Sequence, residues 1–269
     1  MMRKKLKDLL QERGTLCGCF IQIPSPEIVE MARKYDYVIL DYEHGHITRD
    51  RLVDMIRAAE AVDLAVMVRI PEVDPATINK VLDIGASALL VSSISSAEEA
   101  RRLAAATHYY PEGTRGACPF TRANYYGSGE AGDSYYEKMN RDIFVAATIE
   151  DLNGAREMRE IIGTDGIDAL GVGIFDLSVA MDIPGQTDSA EVRSVVHGAI
   201  EAARACGKLF TTMVMEPDEV RGINTDVCRL IMCGAPELSL QNYLNATAER
   251  VHQLLNELPW PQDHLTRRS

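Results

Sequence analysis

Short apolar segments alternate with longer amphipathic segments along nearly the whole chain. Eight of the short segments are rich in Val, Ile and Leu and lack the polar–apolar alternation of a half-exposed strand. Such runs are typical of parallel strands that are buried on both faces. We predict strands at residues 16–23, 37–40, 65–68, 88–91, 143–149, 169–174, 209–214 and 227–232.

The segments between these runs carry signals that begin helices. Ser25–Pro26 and Asp74–Pro75 each place a capping residue before a proline at the first helical position. Ser96 and Glu99 have the spacing of a capping box. We predict about eight helices, the last of them over residues 245–258.

Strict alternation of strands and helices leaves few architectures. We predict an α/β protein with a single (β/α)8 barrel over residues 1–258, including an amphipathic N-terminal helix. An open doubly wound sheet is the alternative, weakened because no GxGxxG motif follows a predicted strand. We expect the long Gly- and Tyr-rich segment 108–142 to be a functional loop or an interface arm, and residues 259–269 to be a disordered tail.

Length and charge narrow the function. The chain has 269 residues, a length common for one α/β barrel. Its formal net charge of −12 disfavours binding to nucleic acid and to anionic membrane surfaces. An anionic small substrate remains possible, because an arginine or a metal ion can reverse the field inside one cleft. No apolar run approaches the roughly 18–20 residues that span a membrane.

Cysteine usage indicates a reducing compartment. The six cysteines include no Cys-x-x-Cys pair, and the N-terminus does not resemble a secretory signal. A chain of this size does not need disulfides for stability. We therefore expect six reduced thiols in a cytoplasmic protein.

Polar residues follow several of the predicted strands directly. Asp41 and His44 follow the second strand, Arg69 the third, Glu150 the fifth and Asp176 the sixth. In a barrel of this kind the active site lies at the carboxyl ends of the strands. Two carboxylates can hold one hard divalent ion, an arginine can neutralise an oxyanion, and a histidine oriented by an aspartate can move a proton. This set suits enolisation of a 2-oxo acid.

Each of these residues also has a structural interpretation. Asp176 could cap a helix, and Glu150 could favour a helix N-terminus. Arg69 could pair with Glu43 or Glu72, and His44 could be a loop residue. The functional interpretation requires that they share one rim of the barrel. The other histidines have no such setting, and we expect surface or structural roles for His46, His108, His197, His252 and His264.

From about residue 16 to about residue 255 the chain resembles the HpcH/HpaI family of class II pyruvate aldolases. Each matching motif is short, but their order and spacing together are specific. The motifs are Asp41-x-Glu43-His44, Val68-Arg69 and residues 81–91, 96–103, 110–116, 149–150, 166–168 and 173–178.

The resemblance implies a TIM barrel that assembles as a hexamer, and it assigns roles to residues. A divalent ion (Mg, Mn or Co) would be held by Glu150 and Asp176. Arg69 would stabilise the oxyanion, and His44 would act as the base with Asp41 nearby. By resemblance alone, Asp83 matches an aspartate that raises the basicity of the histidine.

Several substrate-contact positions depart from the family pattern. Thr148 stands where relatives carry a Gln that contacts the 2-oxo acid, and its hydroxyl cannot reproduce the reach of the amide. Ile174 and Phe175 replace the usual Pro and small residue before Asp176, and Ser92–Ser93 replaces Pro-Met. With the metal, histidine and arginine positions retained, this pattern suggests enolate chemistry on a changed substrate.

The sequence therefore predicts a metal-dependent carbon–carbon lyase that cleaves or forms a 4-hydroxy-2-oxo acid from a 2-oxo acid and an aldehyde. Two alternatives remain open. One is a citrate-synthase-like condensation of oxaloacetate with acetyl-CoA, possible without a metal, for which Arg115 and Arg122 are candidate CoA contacts. The other is a barrel that binds a small molecule without catalysis.

Overall fold

A computed structural model of the chain describes residues 4–129 and 132–258. Eight parallel strands pair in chain order, and β8 pairs with β1 to close the barrel. The prediction of a single (β/α)8 TIM barrel is confirmed, and the open-sheet alternative is wrong. The strands are β1 (Leu16–Ile21), β2 (Tyr37–Asp41), β3 (Ala65–Ile70), β4 (Ala88–Val91), β5 (Phe144–Ile149), β6 (Ala169–Val172), β7 (Leu209–Val214) and β8 (Cys228–Cys233).

Helices surround the barrel and close its amino-terminal edge. None of those in the described part of the chain has the length and hydropathy needed to cross a membrane. Short 3₁₀ segments cover Arg122–Gly127 and Pro217–Gly222. The α-helices are α1 (Leu6–Arg13), α2 (Pro26–Met31), α3 (Arg49–Ala61), α4 (Pro75–Asp83), α5 (Ala97–Thr107), α6 (Asp133–Asp142), α7 (Leu152–Ile162), α8 (Ile174–Ala180), α9 (Ala190–Ala205) and α10 (Pro236–Glu257).

The predicted caps begin helices as expected. The Ser25 side chain accepts a hydrogen bond from the amide of Ile28, and Asp74 accepts from the amides that follow Pro75. Ser96 accepts from the Glu99 amide at 3.2 Å. The Glu99 carboxylate returns to the amide of Ser95 at 2.8 Å, one residue before the reciprocal partner of a regular capping box.

Alternate residues of each strand point into the barrel, where they form a packed core. Tyr37, Ile39, Met67 and Phe144 are almost fully buried there. Gly18 of β1 leaves room for the Tyr37 ring, because a Cβ at Gly18 would lie 2.2 Å from the ring carbon Cζ. The strand residues between these inward-facing positions face outward and pack against the surrounding helices.

The segment 108–142 is more ordered than the loop that the sequence predicts. It contains the Arg122–Gly127 turn and α6. Because it connects the end of α5 to the start of β5, it lies at the amino-terminal edge of the barrel, away from the strand carboxyl ends. The Asn140 side chain fixes it by bonding both the amide and the carbonyl of Tyr109, at 2.7 and 2.9 Å.

The last helix begins at Pro236, well before the predicted residue 245. The proline at its first position and Glu237 in its first turn are start signals that the prediction missed. None of the 22 residues of α10 is buried in the chain. All six cysteines are free thiols, as expected.

Candidate active site

Two oppositely charged residues from neighbouring strands anchor the carboxyl edge of the barrel. Asp41 of β2 and Arg69 of β3 are register partners. The Arg69 Nε and Nη2 atoms donate to the two carboxylate oxygens of Asp41 at 2.9 and 2.7 Å. Asp41 is fully buried, and the side-chain amide of Gln22 donates a hydrogen bond to its carboxylate at 2.9 Å. The guanidinium also lies 4.8 Å above the centre of the Phe20 ring.

Asp41 also fixes the turn that follows β2. Its Oδ1 accepts hydrogen bonds from the backbone amides of Glu43 and His44 at 3.1 and 3.2 Å. Burial by itself would raise the pKa of Asp41, but the hydrogen bonds and charge of Arg69 outweigh burial, and the pKa lies below its ordinary value. Asp41 is therefore held as a carboxylate. It contacts the amide of His44 and not the imidazole ring, contrary to the orienting role that the sequence predicts.

Glu43 joins the Arg69 pair to β4. Its Oε2 lies 3.2 Å from Arg69 Nε and accepts the Ser92 hydroxyl at 2.6 Å. From the sequence, we expect Glu43 only as an ion-pair partner of Arg69 and as part of a family motif. Its position two residues after Asp41 was the available signal, because the tight turn returns it toward the barrel.

The Glu150 carboxylate lies at the end of β5 and is held by the next rim segment. Its Oε2 accepts the backbone amide and the hydroxyl of Ser93 at 3.0 and 2.7 Å. Burial raises the pKa of Glu150 above its ordinary value, and repulsion from Glu43 and Asp176 adds to that effect. Glu43, Glu150 and Asp176 therefore converge on one part of the rim.

Asp176 and Phe175 lie in the first turn of α8, next to Glu150. The Asp176 side chain is exposed, and within residues 4–129 and 132–258 its carboxylate has no hydrogen-bond or ion-pair partner. The Phe175 side chain is 70% exposed, so its ring stands on the rim and does not fill the barrel mouth. A carboxylate left free beside a repelling neighbour is suited to a cation.

Thr148 lies one layer below Glu150, inside the barrel. Its hydroxyl is buried and has no hydrogen-bond partner among the described residues. Thr148 is in register with Gly171 of β6, which contributes no side chain to the barrel interior. A polar group thus faces a part of the barrel lined by small residues.

Asp83 does not meet His44 within one chain. It ends α4, and because helices of this barrel run opposite to the strands, that end lies at the edge away from His44. Its carboxylate accepts Arg115 Nη2 at 2.7 Å. Burial raises the pKa of Asp83 even though Arg115 opposes the shift. The role implied by resemblance is not formed by the contacts of a single chain.

The histidines divide as follows. His44 is exposed on the rim, and its ring has no hydrogen bond within the described ranges. His108 is buried, and its Nδ1 lies 2.9 Å from the carbonyl oxygen of Ala104, which confirms a structural role. His264 lies outside the described residues.

Arg115 and Arg122 are not at the catalytic rim. The Arg115 side chain is 1% exposed, paired with Asp83 and stacked on Tyr109. Arg122 binds Glu60 and the carbonyl of Ile84, both at 2.8–2.9 Å through Nη1. Within a single chain they do not reach the active site as CoA contacts, because the segment that carries them connects a helix to the start of a strand.

The carboxylates at the rim suit one hard divalent ion that takes only part of its ligands from the protein. In the described ranges no three His, Cys, Asp or Glu side chains are grouped closely enough to enclose a metal. Glu150 and Asp176 would supply two carboxylates, which suits Mg²⁺ because it usually retains water and substrate oxygens as ligands. The mutual repulsion of these carboxylates is consistent with such a site.

A closed parallel barrel with its polar site at the strand carboxyl ends has the architecture of barrel enzymes. The family model for HpcH/HpaI aldolase/citrate lyase matches residues 16–242, and the chain belongs to this family. It is a carbon–carbon lyase of the class II aldolase type.

Individual relatives and solved structures resemble the chain over most of its length. The 5-keto-4-deoxy-D-glucarate aldolase of Enterobacter sp. (strain 638) is 31% identical over 207 residues, covering 76% of this chain and 79% of that protein. The crystal structure of citrate synthase SbnG matches with a TM-score of 0.85 at 29% identity, covering 94% of this chain and 99% of that one. The HpcH/HpaI aldolase from Desulfitobacterium hafniense DCB-2 gives a TM-score of 0.84 at 26% identity, covering 95% and 98% of the two chains.

The Asp41–Arg69 pair predicts a pH-dependent contribution to stability. We expect Asp41→Asn to lower the free energy of unfolding at neutral pH by about 1.5–3 kcal/mol, because charge-assisted bonds to a mostly buried guanidinium are lost. Since the pKa of Asp41 is lower in the folded than in the unfolded state, its contribution is complete above about pH 4 and is lost as the pH falls through the folded pKa.

Urea unfolding of the wild type and of Asp41→Asn at several pH values measures this difference. Asp188→Asn, at an exposed position, is the control and should match the wild type throughout. A difference between wild type and Asp41→Asn that is as large at pH 3 as at pH 7 would contradict the assignment of the charge to Asp41.

Proposed function

We propose that the protein is a metal-dependent aldolase that cleaves or forms a 4-hydroxy-2-oxo acid through a pyruvate enolate, with Mg, Mn or Co as the ion. The observation that carries this proposal is the pairing of a fixed arginine with two carboxylates on one rim. Glu43 binds Arg69. Burial raises the pKa of Glu150, and the nearby charge of Glu43 adds to that shift. The Arg69 guanidinium and the Glu150–Asp176 pair are therefore adjacent.

The chain's own residues have distinct tasks in this reaction. Arg69 uses Nε and Nη2 to bind Asp41, and no contact in the described ranges occupies Nη1. Its Nη1 protons can therefore donate to the oxyanion that develops at C2. Glu150 and Asp176 would hold the divalent ion, which supplies positive charge to the keto oxygen and the carboxylate of the substrate.

His44 has the remaining proton-transfer task. In the cleavage direction the His44 imidazole accepts the proton of the C4 hydroxyl. The C3–C4 bond then breaks, and the electron pair of that bond becomes the enolate double bond between C2 and C3. An aldehyde leaves, and protonation of C3 gives the 2-oxo acid. The exposed imidazole has no competing bond within the described ranges, so it is free to reach the substrate.

Thr148 and Phe175 are proposed as positions that select the substrate. The unpartnered Thr148 hydroxyl can donate to, or accept from, a polar group that enters the barrel mouth. The backbone of Phe175 lies beside Asp176, and its exposed ring can contact the far end of the substrate. The relative named 5-keto-4-deoxy-D-glucarate aldolase supports a 2-oxo acid and an aldehyde as the products.

A citrate-synthase-like reaction is the second candidate, favoured by the likeness to citrate synthase SbnG. It would join the enolate of acetyl-CoA to the keto carbon of oxaloacetate, and hydrolysis of the thioester would release citrate and free CoA. Arg115 and Arg122 cannot serve as the CoA contacts within one chain, because they lie at the other edge. Release of free CoA from acetyl-CoA and oxaloacetate distinguishes this reaction from pyruvate release by an aldolase. The family assignment leaves little support for a barrel without catalysis.

Removing either proposed ligand should abolish metal binding. We expect Glu150→Gln and Asp176→Asn to weaken Mn²⁺ binding to below detection in calorimetric titration, because one remaining carboxylate is a poor site for a hard ion. Both variants should keep the circular-dichroism spectrum of the wild type. Asp188→Asn serves as the control carboxylate. Wild-type Mn²⁺ affinity in both variants would disprove this ligand assignment.

His44→Ala should separate two activities of the same site. We expect aldol cleavage to fall by about 10²–10⁴-fold, because the hydroxyl proton loses its acceptor. Oxaloacetate decarboxylation should fall much less, since that step needs only stabilisation of the enolate. Both rates are read by coupling pyruvate to lactate dehydrogenase, with His46→Ala as the control. Equal losses in the two assays would show that His44 acts on the enolate or on the site geometry.

We further propose that the protein assembles from copies of itself, as the hexamer of its family. Exposed Leu240, Leu244, Val251 and Leu255 form one apolar stripe along α10. A helix whose apolar stripe is uncovered gains stability by packing against another surface. The chain itself provides no such cover in its described part.

Charge on this stripe should disrupt assembly. We expect the double variant Leu244→Glu, Val251→Glu to sediment at a lower mass than the wild type in analytical ultracentrifugation. Asn242→Glu with Gln253→Glu places the same charge on the opposite face of α10 and should leave the mass unchanged. A wild type that sediments as a monomer would refute the proposal.

A further inference from the structure

The end of β4 carries two consecutive serines that each hold an acidic residue of the site. Ser92 donates its hydroxyl to Glu43 at 2.6 Å. Ser93 donates both its backbone amide and its hydroxyl to one oxygen of Glu150, Oε2, at 3.0 and 2.7 Å. These bonds connect the end of β4 to Glu43, which binds Arg69, and to Glu150, which lies beside Asp176.

The backbone at Ser93 is held in an uncommon conformation that aims both donors at Glu150. Its φ of 56° lies in the left-handed region, which residues other than glycine seldom adopt. Backbone bonds on either side fix the segment, from the Ser92 amide to the Ile70 carbonyl at 3.1 Å and from the Ile94 amide to the Thr148 carbonyl at 2.9 Å. The neighbouring strands β3 and β5 thus enforce the position of Ser93.

The opposite side of the Glu150 carboxylate is closed by Gly173, which follows β6 and precedes α8. A Cβ added at Gly173 would lie 2.6 Å from Glu150 Cγ and 2.7 Å from Oε1. The glutamate side chain therefore passes close to the Gly173 backbone and has little freedom to rotate. Its Oε2 already accepts two bonds, and Oε1 has no hydrogen-bond partner among the described residues.

From this geometry we propose that Ser93 is a positioning residue that makes Glu150 a one-oxygen ligand and thereby favours small divalent ions over Ca²⁺. The inference rests on the proposed metal-dependent function and extends it to the choice of ion. Ser93 occupies Oε2, so only Oε1 is offered to the ion. Ca²⁺ commonly takes both oxygens of a carboxylate and six to eight ligands, whereas Mg²⁺ and similar ions take six at shorter distances.

Ser93→Gly tests this role with little change elsewhere. Glycine adopts the left-handed conformation readily and keeps the amide donor, so the variant removes only the hydroxyl. Ser93 is exposed, so no cavity is left. Ser93→Ala removes the same hydroxyl with a stiffer backbone and should behave alike. Ser95→Ala is the matched control, because it removes a hydroxyl bonded to the neighbouring carboxylate Asp151.

Calorimetric titration with Mn²⁺, and competition of bound Mn²⁺ by Mg²⁺ and by Ca²⁺, gives the three affinities for the full chain. In both Ser93 variants we expect Mn²⁺ affinity to fall by about tenfold, the lower range for loss of an outer-shell partner. We expect Ca²⁺ affinity to be kept or raised, so the Ca²⁺/Mn²⁺ affinity ratio increases. Ser95→Ala should keep the wild-type ratio.

Two results would overturn the inference and are distinguishable. A wild type that binds none of the three ions removes the proposed metal function, and the inference falls with it. A wild type that binds Mn²⁺, with Ser93 variants that keep the same Ca²⁺/Mn²⁺ ratio, leaves the metal function intact and shows that Ser93 does not set the ion preference. Circular dichroism confirms that each variant is folded.

Discussion

The forked ion pair between Asp41 and Arg69 is the interaction on which the site depends. The pair forms because β2 and β3 run parallel in a register that places the two residues side by side. Asp41 is fully buried and the Arg69 side chain is 16% exposed, so the buried carboxylate would be costly without the guanidinium. The same carboxylate receives the amides of the following turn, so it positions Glu43 and His44 as well. The Asp41–Arg69 pair and the turn after β2 are thus one structural unit.

Much of the fold follows from the sequence because buried parallel strands require continuous apolar runs. All eight predicted strands are present, and several helix starts match their capping residues. The site residues at strand ends also share one rim, as the alternation implies. The beginning of α10 was missed because its first nine residues mix Leu with Ser, Gln and Asn and give a weak periodic signal. The helical content of 108–142 was hidden by its glycines and tyrosines.

Contacts made by side chains were harder to predict than the positions of the elements. The sequence places Asp41 near both His44 and Arg69, and only packing decides that the carboxylate faces the arginine. Asp83 looked like a partner of the histidine by resemblance, yet the direction of α4 takes it to the other edge. The two hydrogen bonds from Ser93 to Glu150 depend on a left-handed backbone at Ser93. No residue pattern predicts that conformation for a serine.

Charge balance at the rim bears on the choice between the two proposed reactions. Among the described site residues, the guanidinium of Arg69 is outnumbered by the carboxylates of Asp41, Glu43, Glu150 and Asp176. An anionic 2-oxo acid entering this field would be repelled. Burial raises the pKa of Glu150, and repulsion from Glu43 and Asp176 adds to that shift. A divalent cation between Glu150 and Asp176 would reverse the local field for the substrate. The electrostatics of this rim therefore favour the metal-dependent aldolase over a condensation that proceeds without a metal.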